Sequence, residues 1–104
     1  RKRDMIISGG INVYPAEVEE TLHQHPSIAE AAVVGVEDRD LGERVRAFVS
    51  LREGQQVDPA DIVRFCRERL SGAKVPKEVR ILAELPKNPT GKILKRELRE
   101  IDVE

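Results

Sequence analysis

Two apolar stretches near the middle of the chain most limit how it can fold. From Ile28 to Val36 alanine and valine dominate, with few polar breaks, which predicts a strand buried on both faces. From Val45 to Arg52 apolar residues recur at a period of two, which predicts a second strand. A shorter alternation from Val79 to Ala83 predicts a third. The core is therefore expected to form around three main strands.

Prolines and glycines mark the helices that accompany these strands. Pro15 and Pro59 each occupy a favoured first helical position, and Asp58 is a candidate N-cap for the second of these helices. Gly72 is expected to follow the end of that helix. Apolar residues recur at helical spacing over residues 93–98, which predicts a third helix near the end of the chain.

The first residues predict a β-hairpin. Two β-prone runs, residues 5–7 and 11–14, are joined across Ser8-Gly9-Gly10, a sequence suited to a tight turn. Residues 37–43 are expected to form a polar turn. The sequence thus predicts an α+β fold: a small domain with an N-terminal β-hairpin, a three-stranded sheet and about three packing helices.

Composition excludes several classes of protein. The length of 104 residues fits one domain, and 18 Lys and Arg against 19 Asp and Glu argue against general nucleic-acid binding. No apolar run approaches the ~20 residues of a membrane span. Cys66, the only cysteine, excludes a disulfide framework and a cysteine zinc site, and it favours a cytoplasmic location. Its position on an apolar helical stripe predicts a core residue rather than a nucleophile.

The stretch from Leu85 to Leu98 contains the candidate for chemistry. A turn-rich loop ends in Gly91-Lys92 and is followed by the last helix, so Lys92 is expected to be a positioned cation. Such a cation suits phosphoryl or acyl-phosphate chemistry, in which negative charge grows in the transition state. The alternative is an ordinary surface lysine. A nucleotide P-loop is excluded, because Pro86 and Ile93 stand where that motif needs a glycine and a Ser or Thr.

Two motifs at opposite ends of the chain resemble those of one enzyme superfamily. Residues 1–19, RKRDMIISGGINVYPAEVE, resemble the hinge-and-hairpin motif of the acyl-adenylate-forming enzymes. Residues 86–93, PKNPTGKI, are similar to their last motif. That superfamily includes acyl-CoA synthetases, firefly luciferase and the adenylation domains of nonribosomal peptide synthetases. The resemblance covers essentially the whole chain and matches the small C-terminal domain of these enzymes.

The resemblance implies that residues 1–104 are the mobile lid of an AMP-forming acid–thiol ligase, such as a fatty-acid or other carboxylic-acid CoA ligase. The large N-terminal domain would be its partner and would hold most of the ATP, Mg²⁺ and acyl site. A carboxylate would attack ATP to give an acyl-adenylate and pyrophosphate, and a thiol, usually that of coenzyme A, would then attack the adenylate. The lid alone is expected to be inactive.

The resemblance also assigns roles to individual residues. Lys92 corresponds to the lysine that catalyses adenylation, and Arg3 to the hinge, where members usually carry Asp or Lys. Ser8, Gly9 and Gly10 correspond to the loop that swings toward the active site for thioester formation, where small residues leave room for the pantetheine arm. No metal ligand is expected among them.

Three further expectations follow from the same resemblance. Lys74 and Pro76 match a loop that often contributes to the CoA nucleotide site. Ala73 stands where an aromatic residue often precedes that lysine, which is a departure from the family pattern. Lys92 also resembles the acetylation site of several acyl-CoA synthetases, so a lysine acetyltransferase is a possible partner.

Two other functions stay open at this stage. The chain could be the equivalent part of an adenylation domain that loads a carrier protein, or a freestanding binding or regulatory module without chemistry. A downstream carrier domain would favour the first alternative. A reading frame without about four hundred upstream residues would favour the second. The acyl substrate is expected to be selected in the N-terminal domain.

Overall fold

The computed structural model describes residues 4–101, which form one sheet with helices on both faces. The strands are β1 (Ile6–Ser8), β2 (Ile11–Val13), β3 (Ile28–Asp38), β4 (Gly42–Leu51) and β5 (Glu78–Ile81). The helices are α1 (Pro15–His23), α2 (Pro59–Arg67) and α3 (Lys95–Arg99), and a 3-10 turn spans Gly72–Lys74. The predicted α+β class is confirmed.

Strand β4 organises the sheet because it pairs with three other strands. It runs antiparallel to β3 along most of its length and parallel to β5, and it meets β1 at the single pair Ser8 and Gly42. The hairpin of β1 and β2 is therefore joined to the main sheet, which has five strands in the described residues rather than the expected three. The sheet order is β2-β1-β4-β3, with β5 also on β4.

Alternate side chains of the long strands enter two separate apolar clusters. Val33 and Ala47 belong to the larger cluster, which α1 and α2 cover through residues such as Leu22. Val34 and Phe48 point to the other face, where Leu98 of α3 completes a smaller cluster. The period of two in β4 therefore separates two cores rather than a core from solvent.

One charged side chain is buried within β4 and is satisfied there. Arg46 is only 6% exposed, and its guanidinium contacts the Glu78 carboxylate at 3.1 Å and the Ile101 carbonyl at 3.3 Å. Partial burial would raise the pKa of Glu78, but hydrogen bonds from Arg44 and Arg46 lower it. A buried arginine is tolerated because its charge is paired.

The starts of α1 and α2 follow the predictions, whereas several other boundaries differ. Helix α3 begins at Lys95 rather than Ile93, and β5 ends at Ile81 rather than Ala83. The carboxylate of Asp58 accepts the Ala60 N–H at 2.9 Å, which confirms it as the N-cap of α2. That helix ends at Arg67, so Gly72 begins the 3-10 turn instead of following the helix. Both ends of the expected turn over residues 37–43 lie in strands instead, because Glu37 pairs with Glu43 and Asp38 with Gly42 across β3 and β4.

Candidate functional site

The loop that carries Lys92 runs from Leu85 to Leu94, between β5 and α3. Leu85 is buried in the smaller core and fixes the start of the loop. Lys87 and Ile93 form an antiparallel bridge, and the Leu94 N–H donates to the Pro86 carbonyl at 2.9 Å. These contacts close residues 85–94, hereafter the lysine loop, into a compact turn whose two ends lie side by side.

A carboxylate on β3 ties the start of the lysine loop to the sheet. Glu30 accepts hydrogen bonds from the Ser50 hydroxyl at 2.6 Å and the Leu85 N–H at 3.2 Å. Its second oxygen lies 2.6 Å from the Lys87 ammonium. Partial burial would raise the pKa of Glu30, but these hydrogen bonds, with that from Lys87 the largest, bring it below its usual value. Glu30 therefore holds its charge and anchors the loop.

Lys92 itself is exposed at the far end of this loop. Gly91 precedes it with a φ of +91°, a conformation that favours glycine. A surface cleft beside Lys92 lies between α1, β3 and α3; its lining includes Glu19, Ala31, Lys92, Lys95 and Arg96. The Lys92 side chain is thus exposed in the structure of residues 4–101, while the backbone that bears it is hydrogen-bonded within the loop.

Ion pairs connect α3 to the start of the chain and to α1. The Lys95 ammonium lies 3.1 Å from the Asp4 carboxylate and 2.7 Å from that of Glu19. Glu19 also accepts the Val33 N–H of β3 at 2.9 Å. The expected hinge, Arg3, lies outside the described residues; Asp4, which follows it, is held against α3.

The hairpin presents glycine and apolar side chains to solvent. Gly9 and Gly10 form its tip with φ of +58° and +82°, and the Gly9 N–H donates to the Leu41 carbonyl at 2.8 Å. Ser8 is buried and paired within the sheet, so it supports the tip rather than forming it. Ile7 and Ile11 are each 48% exposed, which is unusual for residues of their size beside a turn.

Lys74 lies on the 3-10 turn, which packs near β2 of the hairpin. Its ammonium is 3.1 Å from both carboxylate oxygens of Glu17 on α1. Pro76 is buried beside it and shapes the chain rather than contacting solvent. The structure therefore brings the hairpin and Lys74 together, whereas the lysine loop packs on the other face of the sheet.

Sequence reasoning missed two side chains that fix the lysine loop: Glu30, and Asn88, whose side-chain oxygen accepts the Lys92 N–H at 2.9 Å. The signal for Glu30 was available, since it is the single charged residue in the apolar stretch from Ile28 to Val36. Its partners, however, lie up to 57 positions away along the chain. No periodicity in the sequence could have identified them.

Cys66 lies in the core, away from the lysine loop and the hairpin tip. Cys66 is fully buried, and this desolvation raises the pKa of its thiol to about 11, so the predicted core role is confirmed. Residues 4–101 contain no cluster of three or more His, Cys, Asp or Glu side chains that could hold a metal ion. No helix within that range is long and apolar enough to cross a bilayer.

Comparison with known proteins gives consistent matches along the chain. Residues 17–92 match the model of the AMP-binding enzyme C-terminal domain. A long-chain-fatty-acid–CoA ligase of Bacillus subtilis is 49% identical over 104 residues, which is 100% of this chain and 19% of that protein.

Solved structures agree with this match. The ATP-bound structure of MatB from Rhodopseudomonas palustris superimposes with a TM-score of 0.91 at 39% identity, over 96% of this chain and 20% of the other. The o-succinylbenzoate CoA synthetase of Bacillus subtilis, in complex with its acyl-adenylate intermediate, gives a TM-score of 0.87 at 40% identity, over 98% and 21% of the two chains. This chain spans about a fifth of the length of the relatives it matches.

The family model covers more than half of the chain, and the relatives that match nearly all of it are CoA ligases. The fold agrees with theirs from the hairpin to the lysine loop. The chain therefore belongs to the family of AMP-binding enzyme C-terminal domains.

Proposed function

We propose that residues 1–104 are the mobile C-terminal domain of an AMP-forming acid–thiol ligase, an acyl-CoA synthetase acting on a fatty acid or another carboxylic acid. The observation that carries the proposal is the exposed Lys92 on a loop whose backbone is tied to the sheet. The CoA ligases among the relatives support the reaction class.

The first half-reaction makes the acyl-adenylate. The substrate carboxylate attacks the α-phosphorus of ATP, the bond to the β-phosphate oxygen breaks, and pyrophosphate leaves. Negative charge gathers on the α-phosphate oxygens as the carboxylate approaches. In this proposal the Lys92 ammonium offsets that charge, and the fixed loop means that little reorganisation is needed as the reaction proceeds.

The second half-reaction transfers the acyl group to the CoA thiol, with AMP as the leaving group. We assign the tip of the hairpin, Gly9 and Gly10, to the passage for the pantetheine arm. The open space at Gly10 supports this assignment, since a Cβ built there would have no atom within 4 Å in the described chain apart from Gly10 itself and its two neighbours along the sequence. Ser8 would act from within the sheet as the support of the tip.

Lys74 and Pro76 are assigned to the site for the CoA nucleotide. The ammonium of Lys74 could meet a CoA phosphate, but it must first leave Glu17, which it contacts at 3.1 Å. Buried Pro76 would hold the turn that carries Lys74. The proximity of this turn to β2 supports a single CoA surface on the hairpin side of the domain.

The remaining parts of the proposal concern the rest of the protein. The N-terminal domain would hold ATP and Mg²⁺, and the exposed Ile7, Ile11 and Tyr14 would face it when the lid rotates about Arg3. A lysine acetyltransferase acting on Lys92 would remove the charge and block adenylation. We retain the cytoplasm as the expected location.

The test is ATP–pyrophosphate exchange by the full-length enzyme across a panel of carboxylic acids, followed by acyl-CoA formation with each acid that supports exchange. We expect exchange with at least one acid and acyl transfer to free CoA. Exchange without transfer to CoA, but with transfer to a carrier protein, would replace the CoA ligase with a carrier-loading enzyme. Adenylate formation by the 104-residue chain alone would contradict the proposal that it is only the lid.

A further inference from the structure

The backbone of Lys92 is bonded on both sides to one residue, Asn88. The Asn88 N–H donates to the Lys92 carbonyl at 2.9 Å, and the Lys92 N–H donates to the Asn88 side-chain oxygen, also at 2.9 Å. The Gly91 N–H donates to the Asn88 carbonyl at 2.9 Å. Every backbone polar group of Lys92 is thereby satisfied by the same residue.

The side-chain oxygen of Asn88 is the centre of this arrangement. Besides the Lys92 N–H, it accepts the Thr90 N–H at 3.0 Å and the Thr90 hydroxyl at 2.8 Å. Three donors converge on one atom, which requires an oxygen rather than the amide nitrogen. Asn88 is half-buried, whereas Thr90 and Lys92 are exposed. The residue that restrains the Lys92 backbone is therefore less exposed to solvent than Lys92 itself.

We propose that Asn88 is a positioning residue for the adenylation reaction, which acts by holding the backbone of Lys92 in one place. The inference rests on the proposed role of Lys92. An ammonium at the end of a four-carbon side chain reaches a fixed point only if its α-carbon is fixed. A displacement of about 1 Å in such a group can cost on the order of 100-fold in rate.

Asn88→Ala removes the oxygen and leaves Lys92 in the sequence. We expect adenylation by the full-length enzyme, measured as pyrophosphate release in a single turnover, to slow by roughly 10- to 100-fold. Thioester formation from supplied acyl-adenylate should stay at the parental rate. Asn88→Asp keeps an acceptor for the same three donors, so hydrogen exchange of the Lys92 amide should be slower in Asn88→Asp than in Asn88→Ala.

The decisive comparison combines Asn88→Ala with Lys92→Ala. If Asn88 acts through the Lys92 ammonium, its substitution should have no further effect on adenylation once that ammonium is gone. Asp58→Ala is the matched control, because it removes another side-chain oxygen that accepts a nearby backbone N–H, at 2.9 Å, at the start of α2. It should leave adenylation unchanged in both backgrounds.

Equal losses from Asn88→Ala with and without Lys92 would overturn the inference, as would a parental rate for Asn88→Ala alone. The two proposals fail in different ways. A silent Lys92→Ala refutes the role of Lys92 and, with it, any catalytic effect of Asn88. A slow Lys92→Ala beside a fast Asn88→Ala refutes only the role of Asn88.

Discussion

The lysine loop and the hairpin tip are secured in opposite ways. The lysine loop is held by side-chain oxygens, those of Glu30 at its start and Asn88 at its end. The hairpin is joined to the sheet near its base, where the Glu43 carboxylate accepts the Ile7 N–H at 2.9 Å and Ser8 pairs with Gly42, and at Gly9, whose N–H donates to the Leu41 carbonyl. Gly10 at its tip has no neighbour near the position of a Cβ.

This difference fits the two proposed tasks. A loop that acts through one ammonium needs that group in a defined place, so its backbone is fixed by several partners. A loop that acts by leaving space needs small residues and freedom from side-chain contacts. Substitutions that remove a charge should therefore affect one half-reaction, and substitutions that add bulk should affect the other.

The largest expected effect is that of Lys92→Ala on adenylation. Loss of one well-placed electrostatic contact typically costs on the order of 10²- to 10³-fold in rate. Pyrophosphate exchange should fall by this factor, while thioester formation from supplied acyl-adenylate stays near the parental rate. Arg67→Ala is a suitable control, since it removes one positive charge from the exposed end of α2. Comparable exchange rates in Lys92→Ala and the parent would show that Lys92 is an ordinary surface lysine.

Gly10→Leu should produce the reverse pattern. A leucine at the tip would obstruct the proposed path of the thiol, so acyl-CoA output should be lost while pyrophosphate exchange persists. Positive φ also costs a residue with a side chain roughly 1 to 2 kcal/mol of stability. Measuring both half-reactions and the thermal unfolding of the same preparation separates the two effects.

Gly54→Leu provides the control for that strain. Gly54 has a φ of +81°, against +82° for Gly10, and a Cβ would meet nothing within 4 Å at either position. Both variants should therefore lose similar stability, but Gly54→Leu should keep acyl-CoA formation. Equal loss of the two half-reactions in Gly10→Leu would contradict the assignment of the hairpin.

Glu30, which anchors the lysine loop, should contribute to the free energy of unfolding by an amount that decreases in acid. Because the pKa of Glu30 is lower in the folded protein than its usual value of 4.5, its contribution is present above that pH and is lost as pH falls through the lowered value. Glu30→Gln should reduce the free energy of unfolding at pH 7 by about 1 kcal/mol. The difference from the parent should shrink below about pH 4.

Denaturant unfolding from pH 3 to 7 measures this, with Glu53→Gln in the exposed turn after β4 as the control. Asp38 and Glu78 also have lowered pKa values and will keep part of the acid dependence in every variant. A gap between parent and Glu30→Gln that stayed constant with pH would mean that the Glu30 charge does not anchor the loop.

Structural features that depend on neighbouring residues were predicted from the sequence, whereas contacts between distant segments were not. Asp58 and Pro59 predicted the start of α2, and the alternation of apolar residues from Val45 to Arg52 predicted β4. Both features depend only on neighbouring residues. The pairing of Gly42 with Ser8 joins positions 34 apart and could not be read from either stretch. The neighbouring pairs of Asp38 with Gly42 and Glu37 with Glu43 extend both strands into the expected turn.

The candidate site shows the same division. The motif around Lys92 predicted a turn-rich loop that ends at Gly91-Lys92 and is followed by a helix, and both elements are present. The anchoring by Glu30 and the ion pair between Lys74 and Glu17, 57 positions apart, were not predictable, since each depends on how the sheet brings distant segments together. The roles of these residues in the reaction stay predictions.

The smallest expected effect concerns Glu17, which pairs with Lys74 on the hairpin side and would compete with the proposed CoA phosphate for its ammonium. An exposed ion pair of this kind is worth about 0.2 to 1 kcal/mol, so Glu17→Gln should lower the KM for CoA by at most about fivefold. Adenylation should not change, because the pair lies away from the lysine loop. Glu20→Gln on the same helix, also exposed, is the control. Lys74→Met should raise the KM for CoA. An unchanged KM would show that Lys74 is not part of the CoA site. Its ion pair with Glu17 would then be a structural contact between the 3-10 turn and α1.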